Sequence, residues 1–407
     1  MRPLHLLQPR SLRGGMRKNK QFYLIGIFVI AIIITLVGLL ELSAIKDIFF
    51  WGQIQRLILA IVAGMLFYLL LFKNLKLLSY VFHVLILILL VVVLFSSHED
   101  VKRWIPIGSF NIQPSEFAKL SLILVISRIY AEREKIKNSQ VLKALLVTIL
   151  TAALVLIEPD LTTSMTYFFI FFAITYGVGA PREILIPLIL VPLSALFSIH
   201  PLLIVFLFVG TFVYLKLRNF SPFIILINLF LILTVCLSTP IIWKKGLKEY
   251  QKQRLTAFLA PEKYKNREAW QIYQAQIALG SGGLTGKGLG KGTQKGLAFL
   301  PAAHTDFIFT SFGEEFGFLG ASFLLLLYSL FLVFILKLTQ RTGRYHKGIL
   351  FGIWGYFFYH YALNMAANIS LFPVAGIPLP FMTFGGSHII VEFIMLSMLF
   401  RILKEEA

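Results

Sequence analysis

Long apolar runs recur from one end of this chain to the other, and they restrict its fold more than any other feature. Of the 407 residues, 58% are hydrophobic and only 14% are charged, whereas roughly 25% of residues are charged in a soluble domain. A helix of about 20 apolar residues crosses the hydrocarbon core of a bilayer and satisfies its own backbone hydrogen bonds there. The sequence therefore predicts an all-α integral membrane protein, a polytopic bundle without a separate soluble domain.

Twelve apolar runs can each form a transmembrane helix. The predicted spans are 22–42, 54–72, 77–96, 116–130, 141–157, 161–179, 183–198, 201–217, 222–242, 306–336, 348–369 and 386–403. The short pair 183–198 and 201–217 could instead form a re-entrant hairpin, which would leave ten full spans. The first run is too long for the apolar region of a signal peptide, so we expect it to be retained as a helix.

Short loops rich in Lys and Arg set the orientation, because such loops stay in the cytoplasm. Basic clusters in residues 1–21, in the loop after the fourth span and in residues 337–347 fall on one side of the predicted bundle. We therefore expect 1–21 and the tail 404–407 to be cytoplasmic, and 22–403 to form the transmembrane domain. One large loop, 244–304, is then expected to be extracytoplasmic.

The formal net charge of +19 would suggest a nucleic-acid partner if the protein were soluble. Most of the basic residues, however, lie between apolar runs, where they set topology and contact lipid head groups. We therefore expect membrane lipids, and no nucleic acid, among the partners. The single cysteine, Cys236, lies in an apolar run and excludes an intrachain disulfide and a cysteine metal cluster.

The most unusual stretch is GSGGLTGKGLGKGTQKG, from Gly280 to Gly296, with eight glycines and three lysines. It is not a P-loop, because neither Gly-Lys pair has a glycine five residues earlier or a Ser or Thr after the lysine. Backbone N–H groups freed by glycine, with Lys287 and Lys291 beside them, suit an anionic group such as phosphate. A solvated basic face is the alternative interpretation.

Charged residues within apolar runs are costly and usually functional. Glu116 and Lys119 begin the fourth span three residues apart, on one helix face where they can pair. A structural ion pair explains them equally well. Asp160 precedes the sixth span and needs no role beyond that of its N-cap. Asp306 begins a small polar stripe on the tenth span, which suits a neighbouring helix or a substrate chain.

The stretch FPVAGIPLPFMTFGG, residues 372–386, is called the Pro/Gly segment below. Its prolines and glycines exclude a regular helix. Irregular backbone at membrane depth is tolerated where it lines a cavity or is buried in protein, so we expect a pocket wall. Helix partners or snorkelling explain Glu314, Glu315 and Glu392 as well as chemistry does. The three histidines His304, His360 and His388 are too scattered for a metal site, and structural roles are favoured for them.

Seven motifs occur in an order that resembles one family. They are RWIPIGSFNIQPSEFAKL, EPDLTTS, YQKQRLTAFLAPE, GSGGLTGKGLGKGTQ, FLPAAHTDFIF, GEEFGFLG and NMAANISLFPVAGIPLPFMTFGGS. The chain is identified as a member of the SEDS family, the proteins of shape, elongation, division and sporulation. It is more similar to the RodA type than to the FtsW type, and the resemblance covers essentially residues 20–403.

The resemblance implies a peptidoglycan glycosyltransferase that polymerises lipid II for cell-wall elongation, outside the bacterial cytoplasmic (inner) membrane. It also implies a class B penicillin-binding protein as the partner that crosslinks the product. In this reaction the 4-hydroxyl of an acceptor sugar attacks the anomeric carbon of a donor linked to polyprenyl pyrophosphate. A divalent cation, Mg²⁺ or Mn²⁺, is compatible with this chemistry, although the sequence shows no set of ligands for one.

The reaction needs a base for the hydroxyl proton, and cations or amide donors for the departing pyrophosphate. The residues expected to contact the substrate are Arg103, Arg254, Lys287, Lys291 and Asp306. The residues that match polar positions of the family's central cavity are Glu116, Lys119 and Asp160.

The largest departure from the family pattern concerns the base. Family members usually carry an aspartate in the loop motif where this chain has Tyr264, and a phenol of pKa about 10 is a poor base near neutral pH. If the protein is active, we expect Glu268 to be the base, because one helical turn would place it on the same face as Tyr264. The competing hypotheses are a catalytically impaired scaffold for the penicillin-binding protein and, less favoured, a lipid II transporter.

Overall fold

The computed structural model describes residues 10–71, 75–95, 103–107, 110–132, 135–198, 200–246, 249–260, 270–296, 300, 302–374 and 376–406. These residues are largely helical. The helices are α1 (Arg10–Ile45), α2 (Asp47–Leu66), α3 (Leu75–Leu94), α4 (Pro114–Ala131), α5 (Asn138–Ile157), α6 (Leu161–Gly177), α7 (Arg182–Phe197), α8 (Pro201–Leu217), α9 (Pro222–Ile241), α10 (Glu249–Leu259), α11 (Trp270–Ser281), α12 (Thr293–Gly296), α13 (Ile308–Leu338), α14 (Arg344–Asn368) and α15 (Ser387–Glu406).

Each predicted span coincides with a helix, namely α1 to α9 and α13 to α15. Within the described ranges, 6 helices are long and apolar enough to cross a membrane: α1, α2, α3, α5, α9 and α13. Helices α6 and α8 are apolar but shorter. The two short spans that could instead form a re-entrant hairpin correspond to α7 and α8. These are separate helices of 16 and 17 residues. The prediction of a polytopic helical membrane protein is confirmed.

Helix α4 lies at the centre of the bundle. Of its 18 residues, 15 are buried, and it packs against α3, α5, α6, α14 and α15. Pro114 suits the first turn, where a missing N–H costs nothing. A short hairpin of β1 (Ile105–Ile107) and β2 (Phe110–Ile112) precedes it; the sequence analysis did not predict this hairpin. Since α4 contacts protein on all sides, its charged residues must find partners inside the protein.

The predicted large loop, 244–304, contains α10, α11 and α12. Helix α11 packs against α13, which is broken at Gly317, where φ is 65° and ψ is −166°. This left-handed region favours glycine. A Cβ atom at Gly317 would also collide with the backbone of Gly286 and Leu284. The bend in α13 therefore allows the glycine–lysine stretch to approach the helix backbone.

Candidate functional site

The ammonium group of Lys119 lies in a polar cluster near the start of α4. Lys119 is 1% exposed, and its Nζ lies 2.6 Å from Glu116 Oε1 and 3.3 Å from His360 Nε2. The ring of Tyr356 lies 5.5 Å from the same nitrogen. Glu116 and Lys119 therefore pair, as their spacing allows. The second carboxylate oxygen of Glu116 is buried and has no hydrogen-bond partner within the described residues.

The Pro/Gly segment is irregular, and its central residues, Ile377 and 379–383, are buried, as expected of a wall. Its Pro378 carbonyl lies 3.3 Å from His360 Nδ1. The Phe381 N–H donates to Glu392 Oε2 at 2.8 Å, and the Tyr356 hydroxyl donates to Glu392 Oε1 at 3.3 Å. His360 and Glu392 thus connect the wall to the Lys119 cluster. The sequence alone had required no more than a structural role for either residue.

Arg103 holds the turn between α5 and α6. Its Nε donates to the Glu158 carbonyl at 2.8 Å and its Nη2 to the Pro159 carbonyl at 2.5 Å, while Nη1 lies 3.7 Å from Asp160 Oδ2. Asp160 caps α6 by accepting the Thr163 N–H at 3.0 Å. The Arg103 and Asp160 side chains are 26% and 13% exposed, so this pair is structural and also accessible to a ligand.

Glu158 was not a candidate in the sequence analysis, although the acidic pair in EPD at the end of an apolar run could have signalled it. It is 1% exposed, and neither carboxyl oxygen has a hydrogen-bond partner within the described residues. Burial raises its pKa to about 8, with a further increase from Asp160 and an opposing effect of Arg103. A carboxyl group that titrates near neutral pH is suited to proton transfer.

We expect Glu158→Gln to stabilise the protein in alkaline solution. The folded state raises the pKa of Glu158 from 4.5 to about 8, so it binds more protons than the unfolded state in this interval, and stability falls as pH rises through it. The variant should exceed the wild-type Tm by about 2 °C or more near pH 9 and match it near pH 5. Thermal unfolding in detergent measures both, with exposed Glu249→Gln as the control. A difference independent of pH would contradict the prediction.

Tyr167, on α6, connects the two clusters. Its buried hydroxyl donates to the Ser115 carbonyl at 2.9 Å. The carboxyl groups of Glu116, Glu158 and Asp160 all lie close enough to act electrostatically on this phenol. The structure therefore brings three carboxyl groups, the Lys119 ammonium and the Arg103 guanidinium to one region beside the start of α6.

The glycine–lysine stretch folds onto α13 and encloses a carboxylate. Glu314 Oε1 accepts from Lys287 Nζ at 2.6 Å and from the Thr293 N–H at 2.9 Å. Its Oε2 accepts from the Gln294 N–H at 3.2 Å, and Glu315 Oε1 accepts from the Gly292 N–H at 3.2 Å. The amides and the lysine thus surround an anion, although the sequence had suggested a phosphate group in this position. That anion belongs to the protein itself.

We expect Lys287→Glu to destabilise the protein. Glu314 is 0% exposed, and losing one partner of a buried ion pair typically costs about 3–5 kcal/mol. Lys287→Met removes the charge without placing a second carboxylate beside Glu314, so it should lose less stability than Lys287→Glu; thermal unfolding measures both.

Lys291→Glu is the matched control, because Lys291 is exposed and this variant should keep the wild-type Tm. If Lys291 contacts pyrophosphate, Lys291→Glu should still weaken lipid II binding at low ionic strength. A Tm loss as large as that of Lys287→Glu would contradict the difference drawn between the two lysines. Unchanged lipid II affinity would favour the alternative interpretation, in which Lys291 belongs to a solvated basic face.

Asp306 lies just before α13. Its carbonyl accepts from Asn364 Nδ2 at 3.0 Å and Asn368 Nδ2 at 2.9 Å, and it borders a small cavity walled by the Pro/Gly segment. Arg254 lies in α10, and its side chain is outside the described part of the structure. The same is true of Tyr264 and Glu268 as whole residues, so their proposed roles remain predictions.

Among the described residues, no group of three or more His, Cys, Asp or Glu side chains is arranged to hold a metal ion. The side chains in this part of the chain therefore do not by themselves fit a divalent cation.

Comparisons with known proteins agree with the fold. A model of the cell cycle protein family FtsW/RodA/SpoVE matches residues 20–209 and 202–407. Peptidoglycan glycosyltransferase RodA of Treponema pallidum is 32% identical over 332 residues, which cover 74% of this chain and 76% of the relative. Peptidoglycan glycosyltransferase MrdB of Escherichia coli K12 is 32% identical over 321 residues, which cover 77% of this chain and 74% of the relative.

Two solved structures share the fold at 22% sequence identity. The rod shape determining protein RodA of Thermus thermophilus has a TM-score of 0.62, and the match covers 94% of this chain and 96% of that chain. A chain from a peptidoglycan synthase complex that coordinates polymerization and crosslinking has a TM-score of 0.69, with 94% and 97% covered. The helical arrangement described above is therefore shared over nearly the whole length.

Proposed function

The chain belongs to the FtsW/RodA/SpoVE family of cell cycle proteins, and from this premise we propose that it is a peptidoglycan glycosyltransferase that polymerises lipid II for cell-wall elongation. The family assignment implied by the seven motifs is thereby confirmed. The observation that carries the proposal is the match over nearly the whole chain to relatives named peptidoglycan glycosyltransferases. The buried polar region around Lys119 supports the proposal, because it holds a carboxylate and a cation together inside the bundle.

In the proposed reaction, a base takes the proton of the acceptor 4-hydroxyl, and the oxygen attacks the anomeric carbon of the donor. A carbon–oxygen bond to pyrophosphate breaks, and polyprenyl pyrophosphate leaves with the bonding electrons. Glu268 is the proposed base, and the alternatives, which the structure describes, are Asp160, Glu116 and Asp306. Arg103 is the most exposed cation of the described cluster, so it suits the departing anion.

Lys119 has a different role in this scheme. It is buried against Glu116, so it holds that carboxylate in one orientation instead of meeting bulk solvent. The second oxygen of Glu116 is buried and has no hydrogen-bond partner among the described residues, so in this proposal it accepts a hydrogen bond from a substrate hydroxyl that enters the cluster. This arrangement supports the predicted involvement of both residues in the site.

The proposal also includes a partner protein, a membrane location and a metal ion. A class B penicillin-binding protein is the proposed partner, supported by the structural neighbour taken from a synthase complex. The bacterial inner membrane is the proposed location, supported by the basic residues in 337–347. If Mg²⁺ or Mn²⁺ takes part, pyrophosphate oxygens must supply most of its ligands, and no step above depends on it.

The test is polymerisation of fluorescent lipid II by the purified protein together with a class B penicillin-binding protein, with glycan chains resolved on a gel. We expect polymer. The scaffold hypothesis, which Tyr264 favours, expects none from the wild type and restored synthesis in Tyr264→Asp. The transporter hypothesis expects lipid II to cross vesicle membranes without polymer formation.

A further inference from the structure

His360 lies between the two parts of the candidate site. It is 1% exposed and comes from α14, whereas Lys119 comes from α4. One ring nitrogen, Nε2, lies 3.3 Å from Lys119 Nζ. The other, Nδ1, lies 3.3 Å from the Pro378 carbonyl oxygen. Each nitrogen of a fully enclosed imidazole therefore has one defined neighbour.

The chemistry of these neighbours fixes the form of the ring. An ammonium group only donates hydrogen bonds and a carbonyl oxygen only accepts them. Nε2 must therefore present its lone pair to Lys119, and Nδ1 must carry the proton that Pro378 accepts. The Pro/Gly segment selects this tautomer, since the bond made by one ring nitrogen determines what the other can do.

A second connection reaches the same ammonium from Phe381, three residues after Pro378 in the Pro/Gly segment. The Phe381 N–H holds Glu392, which accepts from the Tyr356 hydroxyl, and the Tyr356 ring faces Lys119 Nζ. The wall thus contacts the environment of Lys119 through two routes that begin at Pro378 and at Phe381. Both routes restrict the position of one nitrogen atom.

We propose that His360 is a positioning residue for glycosyl transfer: it accepts a hydrogen bond from Lys119 and keeps that ammonium on Glu116 Oε1, leaving Oε2 for the substrate. This rests on the proposed function. Without the imidazole acceptor, the Lys119 side chain can move to share both oxygens of Glu116. The free oxygen would then be lost, although substrate could still enter the site.

Two amide substitutions separate this role from simple packing. The amide of glutamine extends to about the position of Nε2, so His360→Gln keeps an acceptor for Lys119. The shorter asparagine reaches only about the position of Nδ1, so His360→Asn keeps a partner for Pro378 and loses the acceptor. We expect His360→Gln to keep kcat within about threefold of the wild type, and His360→Asn to lower kcat about 30-fold or more with KM for lipid II changed less than about threefold.

The assay uses the full chain with its penicillin-binding partner and fluorescent lipid II, and Tm confirms folding of each variant. Equal kcat for the two amide variants, or a loss confined to KM, would overturn the positioning role while leaving the proposed function intact. A wild type that makes no glycan would overturn both. Should His360→Asn fail to fold, His360→Met, an apolar side chain of similar reach, carries the same expectation for kcat.

Discussion

Lys119→Met is expected to abolish glycan synthesis, lowering the polymerisation rate by about 100-fold or more. The substitution keeps the length of the side chain and removes its charge. It leaves the Glu116 carboxylate, which Lys119 contacts at 2.6 Å, buried without its counter-charge. Loss of one member of such a pair typically costs about 3–5 kcal/mol of stability, so folding and chemistry must be measured separately.

The double variant Glu116→Gln with Lys119→Met makes that separation. It replaces the ion pair by two neutral side chains of similar volume, and the wild-type Tm should largely return. We expect polymerisation to stay absent, because both the carboxylate oxygen and the cation that orients it are gone. Recovered activity in the double variant would show that the pair is only structural. Exposed Lys143→Met on α5 is the matched control for loss of a lysine.

Glu268→Gln is also expected to abolish polymerisation. With Tyr264 at the family's aspartate position, another carboxylate must take the hydroxyl proton, and Glu268 lies four residues further on. Tyr264→Phe should only weaken activity, because a phenol can donate a hydrogen bond or stack on a sugar without acting as the base. Tyr264→Asp should leave activity intact or raise it. The same lipid II assay measures all three.

Glu262→Gln is the control for this series: Glu262 is the other glutamate close to Tyr264 in the sequence, and this variant should keep polymerisation. Full activity in Glu268→Gln would move the base to Asp160, Glu116 or Asp306. An inactive wild type that Tyr264→Asp restores would favour the scaffold hypothesis. Each result therefore either identifies the catalytic base or indicates that the wild-type protein is a scaffold without one.

The sequence predicted most of the fold because the constraint that a bilayer imposes applies to each apolar run separately. An apolar run must satisfy its backbone within itself, so every predicted span is a helix. The Glu116–Lys119 pair was foreseeable for the same reason, since residues at i and i+3 share a face. The Pro/Gly segment was also recognisable as a wall, because its residue types exclude a helix.

The sequence could not predict the contacts that depend on packing between elements far apart in the chain. His360 is 241 positions from Lys119, and nothing in its neighbours along the chain indicates that they meet. The sequence predicted that the glycine–lysine stretch binds an anionic group such as phosphate, and no local signal showed that the side chain of Glu314 would accept from Lys287 and the nearby amides. The β1–β2 hairpin, with strands of three residues each, is too short for alternation to predict.

The contact between Gly286 and Gly317 shows that glycine serves close packing at this point of the loop. A stretch with so many glycines would ordinarily be among the most mobile parts of a protein. Here the Lys287 and Gly288 amides bond the carbonyls of Glu314 and Glu315 at 3.1 Å and 2.9 Å, and neither glycine leaves room for a side chain. Glycine therefore provides close approach here, and it ties the residues around Gly286 to the backbone of α13 on either side of its break at Gly317.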